Sequence, residues 1–167
     1  MKDLMSRHRQ DFSELRRLCL ICHGIGFTTS SFSSDDCRLK ITENLESALQ
    51  NLISSSLLSL AVAVRVNLYQ EAISNPNIEL PGSSWLYFDK ELIDRPATLK
   101  QVCDKIIHAD AVAKPVLPEG LWKGDSKIAI QFKGVEPRKK AWTLNIALES
   151  FAEDILNLLD EIEAKNA

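Results

Sequence analysis

The sequence predicts a mainly α fold, a helical bundle with one β-hairpin in its C-terminal half, formed by a single domain over residues 1–167. The chain has 167 residues, of which 45% are hydrophobic and 26% charged, and this suits one globular domain. Apolar residues recur every three or four positions in four segments, which is the spacing of helices that bury one face. The period changes to two only between about residues 126 and 146, which is typical of a half-buried hairpin.

The first helix is predicted over residues 11–25, where Phe12, Leu15, Leu18, Cys19, Cys22 and Ile25 form an apolar stripe. Gly24 and Gly26 weaken its end, and the serine-rich stretch that follows at residues 28–36 predicts a loop.

The second helix is predicted to begin after Thr42 and to run to about Ala72. Thr42 suits an N-cap, and the acids Glu43 and Glu46 lie in the first turn, where the helix dipole favours negative charge. The second half is apolar nearly all round, which predicts a central helix.

A short aromatic segment, Trp85-Leu86-Tyr87-Phe88, is compatible with either a strand or a turn. Thr98 and Gln101 then match the capping box that begins a third helix. Its predicted buried side consists of Leu99, Val102, Cys103, Ile106 and Ile107, and Pro115 and Pro118 place its end before them.

The predicted hairpin begins at Ser126, turns between Gly134 and Lys139, and continues through Trp142, Leu144 and Ile146. Helical spacing then returns in a last helix that has an acidic outer face and the apolar residues Phe151, Ile155, Leu158, Leu159 and Ile162.

The net charge of -3 and the pI near 5.6 argue against a nucleic-acid coat protein, although they leave a local RNA-binding patch open. The two small basic clusters are predicted to be solvated surface; they are Arg7, Arg9, Arg16 and Arg17, and Arg138, Lys139 and Lys140. The N-terminus lacks the apolar stretch of a secretory signal, and residues 57–66 are too short for a membrane span of about 20 residues. We therefore expect a cytoplasmic protein without membrane contact.

Cys19-x-x-Cys22-His23 matches the pattern of c-type haem attachment. That chemistry requires export, and the three residues share a helix face with apolar neighbours, so core packing is the favoured interpretation. A zinc site that adds Cys37 has suitable ligand types but lacks a second pair of ligands at a defined spacing. We expect neither a metal nor a cofactor.

Two further features suggest chemistry. His108 lies four residues after Asp104 on the same predicted helix face, where a carboxylate can orient an imidazole for acid–base work; alternatively, His108 caps the helix end. Arg65 lies within the most apolar part of the long helix, so it either pairs with Asp104 or a C-terminal acid, or faces a cleft shared with His108.

The segment Cys103-Asp104-Lys105-Ile106-Ile107-His108 resembles the motif of the HEPN superfamily, helical bundles that occur in prokaryotic toxins, defence proteins and RNases. The stretch Leu60–Val66 resembles the arginine-bearing helix of bacterial proteins with this helix order, and the tryptophan-bearing hairpin before the last helix is similar too. In this resemblance Asp104 occupies the polar position of the motif and His108 the histidine position. The arginine position falls on Cys103, and Arg17 and His23 match Arg-x5-His only in the wrong helix.

The resemblance implies two hypotheses. In the first, the chain is a non-enzymatic partner-binding or RNA-binding module of a defence or toxin–antitoxin system, and it forms a homodimer. In the second, it is a metal-independent endoribonuclease in which His108 moves protons and Arg65 or Lys105 replaces the missing arginine, with Asp104 beside them. The missing arginine favours the first hypothesis.

Overall fold

The computed structural model describes residues 12–31, 40, 42–89, 91–92, 96–113 and 129–167. These contain four helices and five strands, in chain order α1 (Ser13–Ser31), α2 (Glu43–Tyr69), β1 (Ser84–Phe88), β2 (Glu91–Leu92), α3 (Leu99–Ile107), β3 (Ala111–Ala113), β4 (Ala129–Val135), β5 (Ala141–Ala147) and α4 (Leu148–Asn166).

The prediction of a mainly α helical bundle is wrong, because the strands form one five-stranded antiparallel sheet in the order β2-β1-β5-β4-β3. The predicted hairpin is present as β4 and β5, which pair from Ala129–Ala147 to Val135–Ala141. Its predicted first residues, 126–128, lie outside the described part of the chain. The aromatic segment forms β1, which pairs with β5 from Ser84–Ile146 to Phe88–Trp142. The fold is therefore mixed α and β.

Alternation of side chains gives the sheet two different faces. The inner face carries the buried residues Leu86, Ile130, Phe132, Trp142, Leu144 and Ile146. It belongs to one continuous hydrophobic core that also includes buried residues from all four helices. The outer face carries Lys133, Thr143 and Tyr87 in one row across β4, β5 and β1.

Helices α2 and α3 begin after the N-caps that the sequence predicts, Thr42 and Thr98. The hydroxyl of Thr42 accepts a hydrogen bond from the backbone N–H of Leu45 and caps α2 as predicted. Helix α1 runs on to Ser31, beyond Gly24 and Gly26, so the predicted end at residue 25 is wrong. Gly26 is buried against Glu149 of α4, and a contact with a distant element is invisible in the local pattern.

Helix α2, predicted to be central, is buried on one side. One side holds Leu57, Leu60, Ala61 and Val64 in the core, and α2 packs against both α1 and α3. The opposite side is open: Leu58, Val62 and Val66 are each 44–46% exposed and Tyr69 is 89% exposed. We call these four residues the α2 outer face.

Candidate functional site

The residues predicted to carry chemistry lie on α3, whose start is fixed by a complete capping box. The Thr98 hydroxyl accepts from the Gln101 backbone N–H, and the Gln101 side chain accepts from the Thr98 backbone N–H. Leu99, Val102, Cys103 and Ile106 are buried. Asp104, Lys105 and His108 lie on the other sides of this helix, outside its buried face.

Asp104 and Arg65 form an ion pair between α3 and α2. Arg65 Nε lies 2.7 Å from Asp104 Oδ1, and about a third of each side chain is exposed. The sequence left two possibilities for Arg65, an ion pair with an acid or a position in a cleft shared with His108, and the structure shows the ion pair. The pairing neutralises the cation that lies within the apolar half of α2, which lowers the cost of placing a charge there.

His108 is the C-cap of α3, and its backbone N–H donates to the carbonyl oxygen of Asp104 at 3.1 Å. Its side chain is exposed, and within the described residues its imidazole makes no hydrogen bond. His108 therefore lies at the end of the helix, as one of the two sequence interpretations predicts. The exposed ring also lies one turn from the Arg65–Asp104 pair.

Lys105 lies elsewhere, between α3 and the end of the sheet. Its Nζ lies 2.7 Å from Glu136 Oε1, and the side chain is only 14% exposed. The ammonium also lies 4.7 Å from the centre of the Trp142 ring and 5.2 Å from that of Phe88. Lys105 therefore joins α3 to the β4–β5 turn, and its charge is compensated inside the protein.

The cysteines have the properties of core residues. Cys103, which occupies the arginine position of the HEPN motif, is fully buried, and burial raises its thiol pKa. Burial also raises the pKa of Cys19 to about 12 and of Cys22 to about 11, so neither is a thiolate near neutral pH. His23 does not join them, because its Nε2 lies 2.8 Å from Glu153 Oε1 of α4. Cys37, the further ligand of the zinc hypothesis, lies outside the described residues.

No family model, no curated protein and no solved structure matches this chain. The likeness to the HEPN superfamily therefore stays a prediction from the sequence.

Within the described ranges, no three His, Cys, Asp or Glu side chains are grouped so that they could hold a metal ion. A shallow groove of about 550 Å³ lies on the outer side of the sheet near the β4–β5 turn. Asp89, Asp110 and Lys133 line it, all of them exposed.

The sequence interpretation missed the α2 outer face, although a signal for it exists. No ionisable residue occurs between Glu46 and Arg65, a stretch of eighteen residues in a helix with only one side in the core. The side chains that extend the outer face toward the N-terminus and border it are polar but uncharged, and all are exposed: Asn44, Ser47, Asn51, Ser55 and Ser59. An exposed helix face ordinarily carries Lys and Glu.

Proposed function

We propose that this chain is a non-enzymatic protein-interaction module that pairs with a second copy of itself through the α2 outer face. The observation that carries the proposal is the exposure of Leu58, Val62, Val66 and Tyr69 on α2, in which Arg65 is the one charged residue between Ser47 and Tyr69. Contiguous exposed apolar surface with an uncharged polar border is typical of protein–protein contacts. A role in defence or in a toxin–antitoxin pair stays a prediction from the HEPN resemblance.

The α2 outer face is complementary to itself. Its four residues follow the i, i+4, i+8, i+11 spacing of one helix side, so two antiparallel copies can cross with the two-fold axis at Val62. Leu58 of each copy then lies opposite Val66 of the other, and Ser55 lies opposite Tyr69. Val62 meets Val62 of the other copy at the axis, and the small Ser55 faces the large Tyr69.

The Arg65–Asp104 pair supports this arrangement, because Arg65 is the one charged residue beside the apolar part of the face. Its guanidinium is already compensated by a carboxylate of the same chain. Pairing of two copies therefore does not bury an uncompensated charge, which would otherwise oppose association.

The size of the face predicts a weak dimer. The α2 outer face, from Leu58 to Tyr69, spans ~17 Å of the helix axis. A strip ~10 Å wide along that length covers ~170 Å² on each copy, about a fifth of the ~800 Å² that each partner contributes to a standard interface. We therefore expect association that is detectable only at high protein concentration.

A membrane is the competing occupant of the same face. Helix α2 is long and apolar enough to cross a membrane by length and composition, a test that core helices of soluble proteins also pass. Helices that lie on membrane surfaces are rich in Lys and Arg at the polar border. The exposed border of α2 instead has Ser and Asn, which favours a protein partner.

Substitution of Val62 tests the proposal. In sedimentation across a concentration series, the natural protein is expected to show a monomer–dimer equilibrium, and Val62→Asp is expected to stay monomeric. The matched control is Val112→Asp, which changes a valine of nearly equal exposure (46% against 44%) on the edge strand β3. Circular dichroism checks that each variant is folded.

Three results would contradict the proposal: a natural protein that stays monomeric up to near-millimolar concentration, an undiminished dimer in Val62→Asp, or equal losses in both variants. Binding of the natural protein, but not of Val62→Asp, to vesicles would assign the face to lipid instead.

A second function, metal-independent RNA cleavage, is favoured by the position of exposed His108 one turn from Arg65 and Asp104. We propose it only for these three residues, because the Lys105 side chain is only 14% exposed and packs against the Phe88 and Trp142 rings, whereas that of Arg65 is 33% exposed. Cleavage of RNA by the natural protein and at least a hundredfold slower cleavage by His108→Ala are expected if the imidazole transfers the proton. Equal rates in the two proteins, or no cleavage by either, would exclude it.

A further inference from the structure

The outer face of the sheet carries two neighbouring rows of side chains across β1, β5 and β4. The strand register sets the members of each row directly opposite one another: Trp85, Asn145 and Gln131 in the first row, and Tyr87, Thr143 and Lys133 in the second. Alternation along each strand directs both rows to the same side of the sheet, away from the core. The backbone therefore brings these groups onto one surface.

Asn145, in the centre of this surface, has an amide that is only half satisfied. Gln131 Nε2 donates to Asn145 Oδ1 at 3.0 Å. Within the described part of the chain, Asn145 Nδ2 and Gln131 Oε1 form no hydrogen bond, although Asn145 is only 3% exposed. A buried amide donor without a partner is costly, and native structures ordinarily provide one. The open donor and acceptor therefore suit a polar ligand.

The shallow groove on the outer side of the sheet adjoins this amide pair. Thr143 and Lys133 line the groove, and Thr143 lies two residues, or ~7 Å, from Asn145 along β5. The Thr143 hydroxyl and the Lys133 ammonium form no hydrogen bond or ion pair with other residues that the structure describes. Gln131, Thr143 and Tyr87 are half-buried, so solvent reaches the face around Asn145. The open donors and acceptors thus continue from the amide pair into the groove.

The charges and the hydrogen-bonding groups of this surface favour a neutral sugar. The groove is lined by one cation, Lys133, and two carboxylates, Asp89 and Asp110, so an anionic ligand is disfavoured. Each sugar hydroxyl both donates and accepts, which matches a surface of mixed amide, hydroxyl and carboxylate groups. The C–H side of a sugar ring packs well on an aromatic ring, and Tyr87 lies opposite Thr143.

We propose that the outer face of the sheet binds a neutral oligosaccharide. Hydroxyls of one sugar unit bond to Asn145 Nδ2, Gln131 Oε1 and Thr143 Oγ1. The ring of that unit packs against Tyr87, and the next unit of the chain lies in the groove beside Thr143. An open face suits a chain that lies along it, whereas sites for single small molecules are mostly enclosed. The proposal does not rest on pairing through α2.

NMR titration of the ¹⁵N-labelled natural protein tests the proposal, with maltohexaose, cellohexaose and chitohexaose as neutral probes. We expect at least one probe to shift the side-chain NH₂ signals of Asn145 and Gln131, with a dissociation constant of about 1 mM or tighter. These signals report the contact directly, because an amide proton shifts when its hydrogen-bond partner changes. The NH₂ signals of Asn157, an exposed residue of α4, should stay in place.

Two variants remove one hydrogen-bonding group each. Gln131→Met keeps the length of the side chain but removes the open acceptor, and Thr143→Val replaces the hydroxyl by a methyl group. Each should weaken binding about fivefold, the effect of one lost hydrogen bond. The matched control is Asn157→Ala, which removes an exposed amide from α4 and should bind as the natural protein does. The dispersion of the backbone signals shows whether each variant is folded, and Thr143→Val decides if Gln131→Met is not.

The proposal fails if none of the three probes shifts the Asn145 and Gln131 signals, since water would then be the partner of the open amide. It also fails if Thr143→Val and Asn157→Ala lose affinity equally. Adenosine and an uncharged Gly–Ser peptide are titrated in parallel. Stronger binding of either one than of every oligosaccharide would assign the face to a base or to a peptide and would overturn the proposal.

Discussion

At the scale of single residues, the charge of Arg65 is compatible with two roles, a structural ion pair and a cation that binds substrate. Its position in an apolar stretch requires compensation, which either a substrate or an acid of the protein can provide. The structure shows Asp104 at 2.7 Å, with both side chains about one-third exposed. Exposed pairs of this kind contribute little to stability.

A double-mutant cycle measures the pair directly. Arg65→Met, Asp104→Asn and the double variant should give a coupling free energy of ~0.5–1 kcal/mol in urea unfolding, because solvent screens the interaction. A coupling of several kcal/mol would show that the pair is desolvated. A coupling of zero would show that the two side chains act independently.

At the scale of secondary-structure elements, the parts predicted correctly are those whose signals are local. Thr98 and Gln101 are neighbours in sequence and fix the start of α3, and the alternation through Trp142 and Leu144 indicates β5. Residues 85–88 form strand β1 because they pair with β5, which lies about 60 residues away in the chain. The sequence of residues 85–88 alone fits either a strand or a turn. Local periodicity contains no information about such a partner.

Gly134 provides a test of packing within the β4–β5 hairpin. A Cβ at this position would overlap the Trp142 ring, which is buried and held opposite it by the strand register. We expect Gly134→Ala to lower the unfolding free energy by ~1–3 kcal/mol, the usual cost of overpacking. Gly82→Ala is the matched control, because a Cβ there meets nothing within 4 Å.

An unchanged unfolding free energy in Gly134→Ala would show that the Trp142 ring can move aside. Equal destabilisation in both variants would mean that the effect arises from the backbone and not from the ring.

At the scale of the whole molecule, the fold class was predicted wrongly because local patterns identify helices and strands but not the strands that pair with each other. The predicted helices and hairpin lie close to their observed positions, yet the short strands β1, β2 and β3 join the hairpin into a sheet. Of the four predicted site residues, Asp104 and His108 share a helix side and Arg65 reaches Asp104. Lys105 faces the sheet end instead, because adjacent helix positions differ by about 100° in direction.

A contact between the sheet and α4 is expected to make the free energy of unfolding depend on pH. Ser83 is fully buried, and its hydroxyl donates to Asp154 Oδ2 at 2.6 Å. Burial raises the pKa of Asp154, although the hydrogen bond from Ser83 acts in the opposite direction. The folded state thus binds this proton more tightly than the unfolded state does, so the contribution of Asp154 to stability is greatest in acid and is lost as pH rises through its folded pKa.

Asp154→Asn removes that dependence while an amide oxygen still accepts from Ser83. We expect the variant to equal or exceed the natural protein in unfolding free energy near neutral pH, with its advantage declining on acidification. Urea unfolding at several pH values measures this, and Glu161→Gln at an exposed position of α4 is the control. An advantage that grows as pH falls would contradict the raised pKa.

The burial of Cys19, Cys22 and Cys103 has a practical consequence for the measurement of dynamics. A maleimide cannot reach these sulfur atoms until α1 or α3 separates from the core, and their protonated state slows the reaction further. The rate of labelling at each cysteine, resolved by peptide mass, therefore reports the opening of its own helix. Labelling of the three thiols in the natural protein would show whether α1 opens before α3 or the two helices open together.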